Sequence, residues 1–473
     1  MKRQVFHSGT LMVLFIAFSL SLSAEIKLPS IFGDNMVLQQ QTNVAVWGKA
    51  SANSSVSVKT SWNGKSFTTR AGNNGSWKLN VPTPSAGGPY TVTISDGKAV
   101  TLKNVMIGEV WVCSGQSNME MAMKGYYNQP VTGSNEYIAT SSNQQIRLLT
   151  VPKATSLTAL DDFKGSWQLS EPENVAEFSA TAYFFGLMLN KALKVPVGLI
   201  CTAWGGTRIE PWINEAYCKE FDFVKLPDKT QKPENLSQQT PTVLFNAMIN
   251  PIAGYGIRGA IWYQGESNRN EPVQYQQLLP GLADSWRSVW GIGEFPFYFV
   301  QIAPFDYGTG GLNSAFLREA QLKVASSGKN MGMACIMETG EKDNIHPANK
   351  KAAGDRLAYQ ALVKTYGKKG IACDGPVLKE MKIDGNEVKL TFNNAPNGIM
   401  SVGKELFCFE IAGAAKRFYP AKAFVTNSGI TLISPFVAEP VAVRYAFRDF
   451  ITGDLFNTEG IPASSFRTDD WEQ

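Results

Sequence analysis

Histidine is nearly absent from this chain of 473 residues: there are two, His7 and His346. His7 falls in a segment that reads as a removable leader, which leaves His346 as the one imidazole of the mature chain. That scarcity excludes any site built from several histidines. It also leaves a single candidate for a side-chain base that is neutral near pH 7. Cysteine is sparse too, with six in all. Cys113, Cys201 and Cys335 sit in the apolar runs VWVCSG, VGLICTAW and MGMACIME and read as buried thiols. Cys218, Cys373 and Cys408 show no metal-ligand spacing. The fold is therefore expected to stand without disulfides, and no metal or cofactor is expected. A surplus of charge is missing as well: 44 basic residues face 40 acidic ones, for a net +4 that falls nearer neutrality once the leader is gone. Neither nucleic acid nor an anionic membrane is expected as a partner. After the leader no stretch approaches ~20 continuous apolar residues, so no membrane span is expected in the mature chain.

The leader is residues 1–24. MKRQVFHSGT supplies a basic start, LMVLFIAFSL the apolar run and SLSA the small residues of a cleavage site near Ser23 or Ala24. It predicts export to the periplasm or beyond. Residues 25–105 read as an all-β, sandwich-like module: VAVWGKA, SVSVKTSWNGKSFTTR, GSWKLNVPT and PYTVTISDG are short β-branched runs separated by turn residues. Asn63-Gly64 has the composition of a two-residue hairpin turn. From 106 to 370 the character changes. Apolar runs without alternation (NVMIGEVWVCS, VPVGLICTAW, IRGAIWYQGES, FPFYFVQIAP, MGMACIMET) alternate with amphipathic stretches such as SATAYFFGLMLNKAL and ANKKAAGDRLAYQALVKTY. Such strands belong to a parallel sheet covered on both faces, and the alternation predicts a doubly wound α/β domain. Segments 119–165 and 214–241 read as long excursions, lid or rim elements. Residues 371–473 return to β character in a C-terminal module. No internal repeat or low-complexity tract is present.

Ligands of such sheets gather at the carboxyl ends of the strands, and four polar signatures fall at such ends. In VWVCSGQSNMEM the buried-type strand stops at Gly115-Gln116-Ser117-Asn118, where Ser117 is placed as a nucleophile or the stretch is an ordinary polar turn. In LICTAWGGTRIEPW, Gly205 and Gly206 let backbone N–H groups approach a substrate oxygen, or simply make a tight turn. In AIWYQGESN, Gln264 supplies an amide donor or a polar loop; such donors are each worth roughly 3–4 kcal/mol to an acyl-transfer transition state. In EKDNIHPANKK, Pro347 suits the first position of a following helix. Asp343, three residues before His346, is close enough to orient the imidazole and to raise its pKa above the usual ~6.5. A capping or surface histidine with an acidic neighbour reads equally well on those residues alone.

Taken together, GQSNM, WGGT, WYQGESN and DNIHP resemble the block motifs of the SGNH (GDSL-like) hydrolases, in the branch containing sialate O-acetylesterases. LPSIFGDNMVLQQ, LREAQ and VRYAFRDFITGDLFNTEGIPASSFRTDD extend the resemblance over nearly the whole mature chain. The resemblance implies a flavodoxin-like three-layer α/β domain flanked by the all-β modules, and an acetyl-ester hydrolase without a cofactor. Ser117 resembles the nucleophile, Asp343 and His346 the acid and base. The backbone at Ser117, one glycine of the Gly205-Gly206 pair and the Gln264 amide resemble the oxyanion hole. Gln116 and Gln264 depart from the wider superfamily, where Asp and Asn are common. Glu266 receives no role. The substrate implied is an O-acetylated sugar, most readily an acetylated sialic acid, with Arg208 placed to meet a carboxylate unless it pairs with Glu210. Three other readings remain: an esterase for acetylated xylan, a sugar-binding protein with a decayed triad, and a two-carboxylate glycosidase, for which Glu266 lacks an acidic mate.

Overall fold

The computed structural model describes residues 25–471 except 233–235, 309, 402 and 404. The leader lies outside the described residues. At the centre, strands Ala99–Gly115, Val197–Ala203, Gly259–Tyr263, Phe297–Val300 and Met331–Ala334 form a parallel sheet. Numbered one to five in chain order, they lie side by side as 2-1-3-4-5. This is the flavodoxin-like order, whose switch point lies between the first and third strands.

The reason for burial on both faces is visible within the first strand. Trp111 and Cys113 pack into one apolar cluster, with helices Ala180–Leu193 and Lys350–Gln360. Val110 and Val112 pack into the other, with helices Pro272–Trp290 and Asn313–Ser327. Side chains two apart on a strand share a face, so an unbroken apolar run feeds two cores at once.

Three expectations about organisation are corrected here. The segment 119–165 is more than a rim: Asn143–Thr150 pairs in parallel with Val197–Ala203 and carries Ile146, Leu148 and Leu149 into the core, with Gln168–Ser170 as an antiparallel edge. The polar start NQQ hides this strand in the sequence. Second, Ala99–Gly115 runs straight through the expected boundary at 105/106. Its first half pairs antiparallel with Gly87–Ser95 of the N-terminal module and its second half is a central strand of the parallel sheet. Third, Asn63-Gly64 does lie between two antiparallel strands, Ser55–Thr60 and Ser66–Arg70, but the turn is wider than two residues. Lys59 pairs with Ser66, and the loop is braced by Asn63 Oδ1, which accepts from Lys65 N at 2.9 Å.

The C-terminal strands form separate antiparallel sheets, among them Val377–Asp384, Glu387–Asn393, Gly429–Ile433 and Lys422–Thr426. They dock on helix Asn313–Ser327 through Arg318, which is fully buried. Its guanidinium donates to Ser465 Oγ (3.1 Å), Ser314 Oγ (3.4 Å) and the Arg448 carbonyl. All six cysteines are free and buried. Among the described residues no helix is long and apolar enough to cross a membrane.

Candidate active site

In the sheet register Ala203, Gly115 and Tyr263 stand side by side. The segments that follow them, Trp204–Gly206, Gln116–Ser117 and Gln264–Asn268, therefore emerge together at the carboxyl end. Gly115 has φ +143°, and a Cβ there would lie 2.1 Å from the Tyr263 carbonyl oxygen. No other residue lets the first strand end this close to the third. Gln116 N donates to the same carbonyl at 3.0 Å, and the chain turns at once into a short helix, Ser117–Glu120. Ser117, half-buried, is thereby held at the sheet end beside the switch point. Gly205 lies against it: a Cβ on Gly205 would stand 3.2 Å from Ser117 Cβ.

His346 reaches the same place from the loop after the fifth strand. Asn118 ties the two segments, its Nδ2 donating to the Ile345 carbonyl at 3.1 Å and to Glu266 Oε1 at 2.7 Å. Tyr126 lies between them, its ring edge-on to the imidazole at 5.5 Å and its hydroxyl 3.5 Å from the Ser117 carbonyl oxygen. Ser117 Oγ makes no hydrogen bond within the described residues. Nucleophile–base contacts are often loose before substrate arrives.

The structure departs from the expected triad at Asp343. That carboxylate is exposed and makes no hydrogen bond or ion pair among the described residues. The imidazole Nδ1 instead lies 2.6 Å from Gln129 Oε1. The cause is the loop's own bracing. Glu341 accepts from Asn344 Nδ2 (3.1 Å) and Ala348 N (2.6 Å), and Asn344 Oδ1 accepts from His346 N (3.0 Å). The intervening Asp343 is left facing solvent. Pro347 also misses the helix, which begins at Lys350 with Asn349 Oδ1 accepting from Ala352 N at 3.1 Å. The expected rise in the His346 pKa is reversed: burial, and then the Lys350 ammonium, push it down to about 4.

Gln264 is corrected as well. Its side chain is 0 % exposed, and its amide nitrogen donates to the Thr207 carbonyl (3.1 Å) and Asn268 Oδ1 (2.8 Å), so it braces two loops from below. Of the two glycines, Gly205 N–H is occupied by Glu120 Oε2 at 2.5 Å, while Glu120 Oε1 pairs with Lys153 Nζ at 2.5 Å. Gly206 is exposed and its N–H has no acceptor among the described residues. Arg208 pairs with Glu210 (2.8 Å) and Glu271 (3.3 Å), so its charge is already met within the protein, the alternative left open in the sequence.

Glu266, without a role in the sequence, is 4 % exposed and belongs to a buried cluster with Asn118 and Lys350, whose Nζ donates to Asn118 Oδ1. Burial pushes the Glu266 carboxyl up and the Lys350 ammonium down to about 7, and their mutual attraction opposes both shifts. Asn118 and Glu266 were visible inside motifs. Gln129, Glu120 and Lys350 carried no local signal. Among the described residues no group of three His, Cys, Asp or Glu side chains is placed to hold a metal ion.

A serine beside a glycine turn at the switch point, with one histidine opposite, is an arrangement suited to acyl transfer, and the comparisons agree. Residues 107–363 match the family model described as carbohydrate esterase, sialic acid-specific acetylesterase. The sialate O-acetylesterases of mouse and human are each 27% identical over 93% of this chain, covering 92% and 91% of those proteins. A crystal structure of a novel carbohydrate acetylesterase from Xanthomonas citri superposes with a TM-score of 0.86 at 33% identity, covering 94% of this chain and 100% of that one. The chain is thus a carboxylic ester hydrolase and belongs to the carbohydrate esterase family of sialic acid-specific acetylesterases.

Proposed function

We propose that this protein is an exported serine esterase that removes O-acetyl groups from sugars, with O-acetylated sialic acid as its substrate. The mechanism is supported by Ser117, against Gly205 at the switch point, and by the loop of His346, the only histidine among the described residues, which Asn118 ties to the serine's segment through the Ile345 carbonyl. With Nδ1–H donating to Gln129 Oε1, the lone pair of Nε2 is free to act as base. In the reaction, Nε2 takes the Ser117 hydroxyl proton as Oγ adds to the acetyl carbonyl. The tetrahedral oxyanion is met by the backbone N–H groups of Ser117 and Gly206. The imidazolium then protonates the departing sugar oxygen, and water releases acetate from the acetyl-serine by the same steps in reverse roles. The sialic acid assignment rests on the named activity of the mammalian relatives, which match across almost the full length. Export rests on the leader composition of residues 1–24.

A second reading, an esterase for acetylated plant polysaccharide, draws on the Xanthomonas citri relative, which is named only a carbohydrate acetylesterase. Acetate release from O-acetylated sialic acids and from acetylated xylan, measured in parallel, separates the two. Ser117→Ala is expected to lower release by on the order of 10⁴-fold or more while the melting temperature is kept. An alanine variant with full activity would overturn the serine mechanism.

A further inference from the structure

We infer that Gln129, a neutral amide, is the positioning residue of His346 during turnover, in the place where a carboxylate is expected. The inference rests on the serine-esterase reading above and concerns how its base is held. Gln129 closes a tight turn with Tyr126, the two backbones exchanging hydrogen bonds of 2.9 and 3.0 Å. The same turn thus delivers two contacts to the imidazole: the Gln129 carbonyl at Nδ1 and the Tyr126 ring edge-on to its face. The Gln129 side chain makes no other hydrogen bond among the described residues, so nothing competes for its carbonyl. Asp343 is turned to solvent by a loop that Glu341 braces with two hydrogen bonds.

The chemistry differs from that of a carboxylate partner in one respect. A carbonyl oxygen fixes Nδ1–H as the donor, and so selects the tautomer with a basic Nε2, exactly as far as geometry goes. It brings no negative charge to stabilise the imidazolium. The surroundings do not supply that charge. The nearby Lys350 ammonium, which donates to Asn118 Oδ1, acts on the ring with positive charge. Glu266 and Glu341 act on Lys350, Glu120 is bound to Lys153 and Gly205, and Lys342 and Asp343 are exposed. The consequence is a base that remains unprotonated in acid, consistent with an imidazole pushed down to about 4. Activity is therefore expected to persist at pH values where a carboxylate-paired histidine would already carry its proton.

The test is the pH profile of kcat/KM on an aryl acetate for the full chain and two variants. Wild type is expected to show its ascending limb well below pH 6. Gln129→Glu places a carboxylate at Nδ1 and is expected to move that limb up by at least about one pH unit. Gln129→Met removes the acceptor and is expected to lower kcat about 10²-fold with KM nearly unchanged, since only the ring's orientation is lost. A Gln129→Met enzyme within twofold of wild type in kcat overturns the inference, as does a Gln129→Glu limb that does not move. A loss of about 10³-fold in Asp343→Asn alongside either result returns the role to Asp343. Residual full activity in Ser117→Ala would instead mark failure of the esterase reading itself.

Discussion

Lys350→Met probes the buried cluster that joins the three loops of the site. Lys350 is 2 % exposed; its ammonium donates to Asn118 Oδ1, and Asn118 Nδ2 donates onward to Glu266 Oε1 at 2.7 Å. Glu266 Oε2 has no hydrogen-bond partner among the described residues, and the ammonium joins the backbone and Asn118 in favouring that buried carboxylate. Removing one partner of a buried pair typically costs about 3–5 kcal/mol. The cost here depends on pH. Burial already raises the Glu266 pKa, and without the cation it rises further. Between the unfolded and folded values the unfolded chain is ionised while the folded chain holds a proton. Stability therefore falls as pH rises, by about 1.4 kcal/mol per unit, until the folded value is passed. The variant's melting deficit should be small at pH 5 and largest at pH 8. Lys350→Met/Glu266→Gln should recover most of it, because the amide still accepts from Asn118 without a charge to bury. Loss of the cation also removes one of the two influences that depress the His346 pKa, so the ascending limb of kcat/KM should move up. Thermal melts followed by circular dichroism at pH 5, 7 and 8 read the first effect and initial rates the second. A deficit independent of pH, or a double variant no more stable than the single, would refute the reasoning.

Gly205→Ala puts a methyl carbon 3.2 Å from both Ser117 Cβ and Glu120 Oε2; displacing the nucleophile by a few tenths of an ångström should lower kcat about tenfold with little change in melting temperature. Unchanged kcat would show that the glycine turn does not set the serine's position. Arg318→Met removes the guanidinium that links helix Asn313–Ser327 to Arg448 and Ser465 and should destabilise the chain by about 3 kcal/mol. Limited proteolysis should then cut first near the C-terminal module, and wild-type resistance would count against that seam as the anchor.

Much of this protein is decided by local pattern. Continuous apolar runs such as VWVCS and GAIWY read as strands covered on both faces, and a glycine or polar break ends each of them, so the parallel sheet is legible in the sequence. The positions of Ser117 and His346 were legible as well: one stands at a strand's end and the other is the only histidine among the described residues. Strand Asn143–Thr150 was not, because three polar residues precede its buried half. The partners of the site depend on tertiary structure alone. Asp343 is three residues from His346 in sequence, yet hydrogen bonds from Asn344 and Ala348 to Glu341 turn it outward. Gln129, 217 positions away, arrives through the Tyr126 turn. Gln264 ends a core strand as a nucleophilic-site donor would, but the loops at Thr207 and Asn268 close over its amide. Hydrogen-bond partners are set by which loops meet after the sheet has assembled, and proximity along the chain carries little information about that.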